Sequence, residues 1–143
     1  MKLSVIGTGY VGLVSGACFS EFGFDVTCID KDASKIDSIR SGVMPIYEPG
    51  LEDLVARNIT ASRLHFTTKL GPAVADADAV FIAVGTPTRR GDGHADLTYV
   101  FDAARELAGH LSGYTVVVTK STVPVGTGRK VETIIRDTSP DAD

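Results

Sequence analysis

The chain has 143 residues, 43% apolar and 22% charged, which suits one globular domain with a full core and excludes the disordered and membrane classes. Fourteen basic against eighteen acidic side chains leave a net charge of -4, so the basic face that a nucleic-acid partner requires is not expected. Lys2 alone precedes a short apolar run that reads directly into a strand, so the expectations are no leader, no membrane segment, a cytoplasmic location and no membrane partner.

In chain order, the apolar run 3–6 reads as a strand and is followed at once by "GTGYVG". Val11, Val14, Cys18, Phe19 and Phe22 then recur at three- and four-residue steps, the spacing of a helix, and Gly23 is placed to stop it. A second strand, 26–29, ends at Asp30. The next helix is expected over 33–40, capped by Asp32, with Ile36 and Ile39 on its buried face and Gly42 at its end. After the loop "VMPIYEPG", Leu51, Leu54 and Val55 mark a helix over 51–57. A short strand at 64–67, a short helix at 72–77 and a strand at 79–84 follow. Asp96 can cap a helix over 99–111, a strand is expected at 115–118, and the last helix covers 126–136.

The strand runs are continuous rather than alternating, as expected of strands buried on both faces. Strands alternating with helices predict right-handed crossovers and an α/β fold with a doubly wound, mostly parallel sheet of the Rossmann type. The expected unit is one domain over residues 1–143. Because "SPDAD" directly follows a helix where such a fold usually adds a strand, the chain is expected to be the front part of a longer protein. Cys18 and Cys28 both lie in apolar segments and read as core thiols rather than a disulfide.

A glycine-rich turn between a strand and a helix can be purely structural, but here each position has a role in holding a dinucleotide. Gly7 permits the tight turn, Gly9 clears the backbone for a pyrophosphate, and Gly12 lets helix and strand pack closely. The helix N-terminus adds N–H groups and the positive end of its dipole. Asp30 lies 18 residues after Gly12 at the end of the second strand, where a carboxylate accepts hydrogen bonds from ribose hydroxyls and repels a 2′-phosphate. NAD is therefore the expected cofactor over NADP. Lys31 and Lys35 oppose that preference; Lys31 reads equally well as a solvated charge, whereas Lys35, a helical turn beyond Asp30, can reach back to the ribose or pyrophosphate.

In an open α/β sheet, ligands lie across the carboxyl ends of the strands, so the loops there should carry chemistry. After "AVFIAV" comes "GTPTRRGDGHADLTYV", in which Gly85 and Pro87 fix a turn while Thr86 and Thr88 present hydroxyls. After "TVVVT" comes "KSTVPVGTG", with Ser121 and Thr122 as a second hydroxyl pair and Pro124 stiffening the loop. Each of these hydroxyls reads alternatively as a cap or turn residue. His94 reads as a solvated loop residue and is left out of the catalytic set.

Together, "GTGYVGLVSGACFSEFGFDVTCID", "PIYEPGLEDLV", "FIAVGTPTRRGDGHADLTYV" and "VVVTKSTVPVGTG", in this order and spacing, resemble the NAD-binding domain of the UDP-glucose/GDP-mannose dehydrogenase family over nearly the whole chain. The resemblance implies an NAD-dependent oxidation of the sugar C6 alcohol of UDP-glucose to a carboxylate through an aldehyde and a cysteine thioester, with two NAD per sugar. It implies that Gly7, Thr8, Gly9, Tyr10, Val11 and Gly12 hold the pyrophosphate, and that Asp30 and Lys35 hold the adenosine side. It places Val84, Gly85, Thr86, Pro87, Ser121 and Thr122 against the cofactor, and gives Thr122 the catalytic role of positioning a water. A homo-oligomer is implied for the full-length enzyme. The family's nucleophilic cysteine and its catalytic lysine, asparagine, aspartate and glutamate have no counterpart in this chain, so the chain alone is expected to bind NAD without oxidising a sugar. GDP-mannose or a UDP-N-acetyl sugar is the alternative substrate, and a non-catalytic NAD-binding interaction domain is the alternative role.

Overall fold

In the computed structural model, the strands Lys2–Ile6 (β1), Asp25–Ile29 (β2), Leu64–Thr67 (β3), Ala79–Ile82 (β4) and Val116–Thr119 (β5) form one parallel sheet in the order β3-β2-β1-β4-β5. The helices are Tyr10–Glu21 (α1), Ala33–Arg40 (α2), Leu51–Thr60 (α3), Leu70–Val74 (α4), Thr98–Ala108 (α5) and Thr127–Thr138 (α6). The structure describes residues 1–91 and 93–139. Asp92 of the glycine-rich loop and residues 140–143, where the chain was expected to lead into a further strand, lie outside them.

The register sets where a ligand can lie. Ile6 pairs with Ile29 on one side and Ile82 on the other, Ile29 pairs with Thr67, and Ile82 with Thr119. All five strands therefore finish in one row, and their following loops emerge along a single edge of the sheet.

Side chains alternate between two buried faces, which is why the strand sequences are continuously apolar. Leu3, Val5, Val26, Cys28, Leu64 and Phe66 join residues of α1, α2 and α3 in one core. Ile6, Ile29, Val80 and Ile82 join residues of α4, α5 and α6 in the other. Ser4 points to the second face and donates its hydroxyl to the Ala73 carbonyl at 2.6 Å, which satisfies the polar group in the middle of β1. The first face allows close approach between α1 and β2, since a Cβ on Gly16 would collide with the Cys28 sulfur. Both cysteines are free thiols: Cys28 is fully buried and Cys18 half-buried.

The helix and strand expectations hold in order and type, with shifted ends. β4 stops at Ile82 instead of Val84, because its neighbour β1 ends at Ile6 and Gly7 turns the chain away with φ of +103°. The Ala83 N–H makes the last bond to β1, donating to Ile6 O at 2.8 Å, and the chain leaves the ladder after it. α4 begins at Leu70, two residues before the expected start, so that Pro72 falls in the first turn, where a missing N–H is harmless. α3 continues past Arg57 to Thr60, held by the buried Asn58, which donates to Glu21 Oε2 at 2.7 Å and accepts from the Arg63 guanidinium. α5 ends at Ala108 with Gly109 behind it, short of Leu111. Asp32 caps α2 by accepting from the Lys35 N–H at 3.1 Å, as expected. Asp96 stands one residue before the N-cap of α5 and accepts from the Thr98 N–H at 3.0 Å.

Candidate functional site

Strand order reverses between β1 and β4, and the two chains leaving them open a crevice at the carboxyl edge of the sheet. Gly7 forms its floor. A side chain there would meet the Ala83 carbonyl oxygen at 2.7 Å, and the Gly7 N–H donates to Ile29 O at 2.7 Å, so the turn is stitched to β2 and pressed on β4. Gly9 is the N-cap of α1, and a Cβ there would enter open space. No side chain caps this helix among the described residues, which leaves its first turn of N–H groups available to an anion. Gly12 meets a different steric demand. A Cβ there would overlap the Gly7 carbonyl, so its hydrogen lets α1 sit directly on the turn.

At the end of β2, Asp30 is the most heavily bonded side chain of the crevice. Its Oδ2 accepts from the Thr8 hydroxyl at 2.7 Å, the Thr8 N–H at 3.0 Å and Lys35 Nζ at 3.0 Å; its Oδ1 accepts from the Asp32 N–H at 3.1 Å. Partial burial alone would raise the Asp30 pKa, but the Thr8 hydroxyl and N–H, the Asp32 N–H and the Lys35 ammonium hold it down at about 2. The carboxylate is thus charged at neutral pH and fixed in orientation, and Oδ1 keeps lone-pair capacity for a ribose hydroxyl.

The crevice is a groove of about 540 Å³. Of the residues expected to hold a cofactor, Gly7, Gly9, Asp30, Lys35, Val84 and Gly85 line it. Thr8 is fully buried and acts on the groove through Asp30. Tyr10 and Val11 lie in the exposed first turn of α1, and the Tyr10 hydroxyl donates to the Glu48 carboxylate of the "YEPG" loop. Thr86, Pro87, Ser121 and Thr122 stand farther along the sheet edge, where they join the loops after β4 and β5. Thr86 Oγ1 donates to the Thr122 carbonyl at 3.0 Å, and the buried Ser121 hydroxyl donates to Val84 O at 2.7 Å. Ser121 therefore anchors its loop to β4, and the exposed Thr122 is carried at the rim.

Sequence reasoning missed the far wall. Tyr99, Asp102, Ala103 and Glu106 of α5 line the groove opposite Asp30 and Lys31, joined by Thr68 and Leu70 below. Their steps of three and four residues are a readable helical stripe, but nothing local says that this stripe faces a ligand. Lys31 Nζ meets Glu106 Oε2 across the groove at 2.7 Å.

These residues fit an NAD molecule. The groove combines apolar lining from Ile29, Leu70 and Val84, the fixed Asp30 carboxylate that a ribose would need, a side-chain-free approach at Gly9 and an uncapped helix end that suits a pyrophosphate. The cysteines do not belong to it: burial pushes the Cys28 thiol up to about 12, and Cys18 sits midway along α1. No helix is long and apolar enough to cross a membrane among the described residues.

Comparison with known proteins agrees with this geometry. Residues 1–142 match the model of the UDP-glucose/GDP-mannose dehydrogenase family, NAD binding domain. The chain is 65% identical over all of its 143 residues to the UDP-glucose 6-dehydrogenase of Rhizobium meliloti, covering 33% of that protein. It is 56% identical to the UDP-glucose 6-dehydrogenase TuaD of Bacillus subtilis over 96% of this chain and 30% of the relative. Among solved structures, a UDP-glucose dehydrogenase from Pyrobaculum islandicum superposes with a TM-score of 0.92 at 40% identity, over 99% of this chain and 34% of that one. A GDP-mannose dehydrogenase from Pseudomonas aeruginosa, solved as a ternary complex, does so with 0.91 at 39% identity, over 99% and 33%. The chain spans about a third of the length of these relatives. With the dinucleotide turn, the anchored Asp30 and a family match over residues 1–142, the chain belongs to the UDP-glucose/GDP-mannose dehydrogenase family as an NAD-binding domain.

Proposed function

We propose that this chain is the NAD-binding part of a UDP-glucose 6-dehydrogenase, acting in the cytoplasm within a homo-oligomer to convert UDP-glucose to UDP-glucuronate with two NAD per sugar. The observation that carries the cofactor half of this reading is the Asp30 carboxylate, locked by Thr8 and Lys35 beside the open approach at Gly9. The substrate half is supported by the names of relatives 65% and 56% identical to the chain.

When bound, NAD supplies the hydride acceptor. This chain's residues would hold and orient it: Asp30 would accept from a ribose hydroxyl, the uncapped N–H groups of the first turn of α1 would receive the pyrophosphate, and Val84 and Gly85 line the same groove. The Thr86 to Thr122 hydrogen bond fixes the rim at which Thr122 holds a water for the second half of the reaction, since a hydroxyl donates and accepts at once. Neither cysteine is placed to act as the nucleophile: Cys28 is buried in the core, and Cys18 sits midway along α1 outside the groove. A purified 143-residue chain therefore binds NAD and forms no NADH from UDP-glucose.

Calorimetry tests the cofactor site. Asp30→Ala weakens NAD by about tenfold or more, the cost of losing a charge-assisted hydrogen-bond partner for the ribose; unchanged affinity would refute the assignment. A second substrate reading, GDP-mannose, draws on the nearly equal structural likeness to the two named dehydrogenases. Substrate turnover by the longer protein, with UDP-glucose and GDP-mannose offered in parallel, separates the two.

A further inference from the structure

Asp30 disfavours NADP by repelling a 2′-phosphate, but two lysines on the same side of the groove work against it. A cation next to the end of the second strand is the usual means of accommodating that phosphate in this fold. Lys35 is held by Asp30 itself, at 3.0 Å. Lys31, the residue directly after Asp30, is drawn the other way, across the groove to Glu106 of α5 at 2.7 Å. The neighbouring carboxylate on the α5 wall, Asp102, bonds Arg105 at 2.8 Å, so the Lys31 contact belongs to Glu106.

The Lys31–Glu106 pair is too exposed to be explained as a support of the fold. The Lys31 side chain is 77% exposed and that of Glu106 39%, and pairs so open to water contribute little to stability. What the pair does change is the position of a positive charge at the adenosine end of the groove. We infer that Glu106 is a specificity-determining residue for the cofactor: by holding the Lys31 ammonium against α5, it withholds from a 2′-phosphate the cation that would welcome it, and so reinforces the selection of NAD over NADP.

This rests on the groove being the cofactor site, as proposed above. It extends that reading from the carboxylate on β2 to the opposite wall, and it predicts that selectivity depends on two acidic residues acting differently. Asp30 repels the phosphate and binds the ribose; Glu106 acts through Lys31.

The test is the ratio of NADP to NAD dissociation constants, measured by calorimetry on the 143-residue chain, for the wild type, Glu106→Gln, Lys31→Gln and the double variant. Glutamine keeps the shape of Glu106 and releases Lys31. In Glu106→Gln the ratio falls by about three- to fivefold at low ionic strength, as much as an exposed ion pair can withhold, and most of this change disappears in 1 M salt, where the screening length is about 3 Å. In the Lys31→Gln background the Glu106→Gln substitution leaves the ratio within about twofold, because there is no ammonium left to release. An unchanged ratio in Glu106→Gln overturns the inference. So does a gain that persists without Lys31, which would mean that Glu106 merely repels the phosphate. Asp30→Ala, run alongside, separates the levels of failure. If it leaves NAD affinity unchanged, the groove is not the cofactor site; if it weakens NAD while Glu106→Gln leaves the ratio alone, only the role of Glu106 falls.

Discussion

Replacing Thr8 with valine isolates what anchors Asp30. Thr8 is fully buried, and valine preserves its shape and its N–H while deleting the hydroxyl that donates to Asp30 Oδ2 at 2.7 Å. A hydrogen bond to a charged acceptor is worth about 1.5–3 kcal/mol, and since Lys35 and the Thr8 N–H remain on the same oxygen, the expected loss is about 1–2 kcal/mol. In a domain of this size that lowers the melting temperature by about 3–8 °C. The loss must depend on pH. Despite the opposing effect of burial, the Thr8 hydroxyl and its companion donors bring the Asp30 pKa from 3.8 down to about 2 in the folded chain. A depressed folded pKa contributes stability that is present above the unfolded value and lost as pH falls through the folded one. The full shift corresponds to roughly 2 kcal/mol, and solvent screening of a partly exposed carboxylate reduces it to about 1. Urea unfolding at neutral pH should therefore show a clear deficit in Thr8→Val that narrows as pH is lowered from about 4 toward 2, while the Asp30 carboxyl, followed by NMR, titrates higher in the variant. Equal stability at neutral pH, or a deficit of the same size at pH 2, would refute the claim that the hydroxyl supports the charge.

Other substitutions probe the frame beneath the groove. Gly16→Ala forces a methyl into the Cys28 sulfur and should cost about 1–3 kcal/mol in urea unfolding, with Cys28→Ala restoring part of the loss; a neutral Gly16→Ala would mean that α1 does not press on β2 as described. Asn58→Leu strips Glu21 Oε2 of a donor and Arg63 of an acceptor at a buried site, and about 2–4 kcal/mol should be lost, read as a lower denaturant midpoint. Because burial pushes the Cys28 thiol up to about 12, iodoacetamide at pH 8 should modify it only after unfolding; rapid labelling of the native chain, read by mass spectrometry, would contradict its place in the core.

Much of the fold was legible because its signals are local. Continuous apolar runs mark strands buried on both faces, and Asp32 and Gly23 act as cap and stop within a turn of where the pattern places them. The ends that shifted did so for reasons that reside elsewhere in the chain. β4 loses Ala83 and Val84 because β1 turns away at Gly7, and α3 gains a turn because Asn58 finds Glu21 on α1 and Arg63 before β3. A residue-by-residue pattern carries no knowledge of a neighbour 37 positions away in sequence, which is the separation of Asn58 from Glu21.

The candidate site divides along the same line. The glycine turn was readable from its spacing behind a strand, but the demand on each glycine was not: Gly7 is pressed on Ala83 after β4, Gly9 faces open space, Gly12 meets the turn itself, and the collision with β2 falls to Gly16. Asp30 was readable from its spacing, but the partner that fixes it was not: Thr8 looks in sequence like another member of the phosphate loop, and only the parallel pairing of β1 with β2 brings its hydroxyl to the carboxylate. The α5 wall was the least accessible to reading. Strand β4 lies beside β1, so the helix that follows it packs with Ile6, Ile29 and Ile82 beside the crevice, and an ordinary amphipathic stripe becomes the boundary of a ligand groove. Lys31, which reads as a solvated charge or a phosphate partner with equal ease, is resolved by that wall: Glu106 sets the direction in which its charge points.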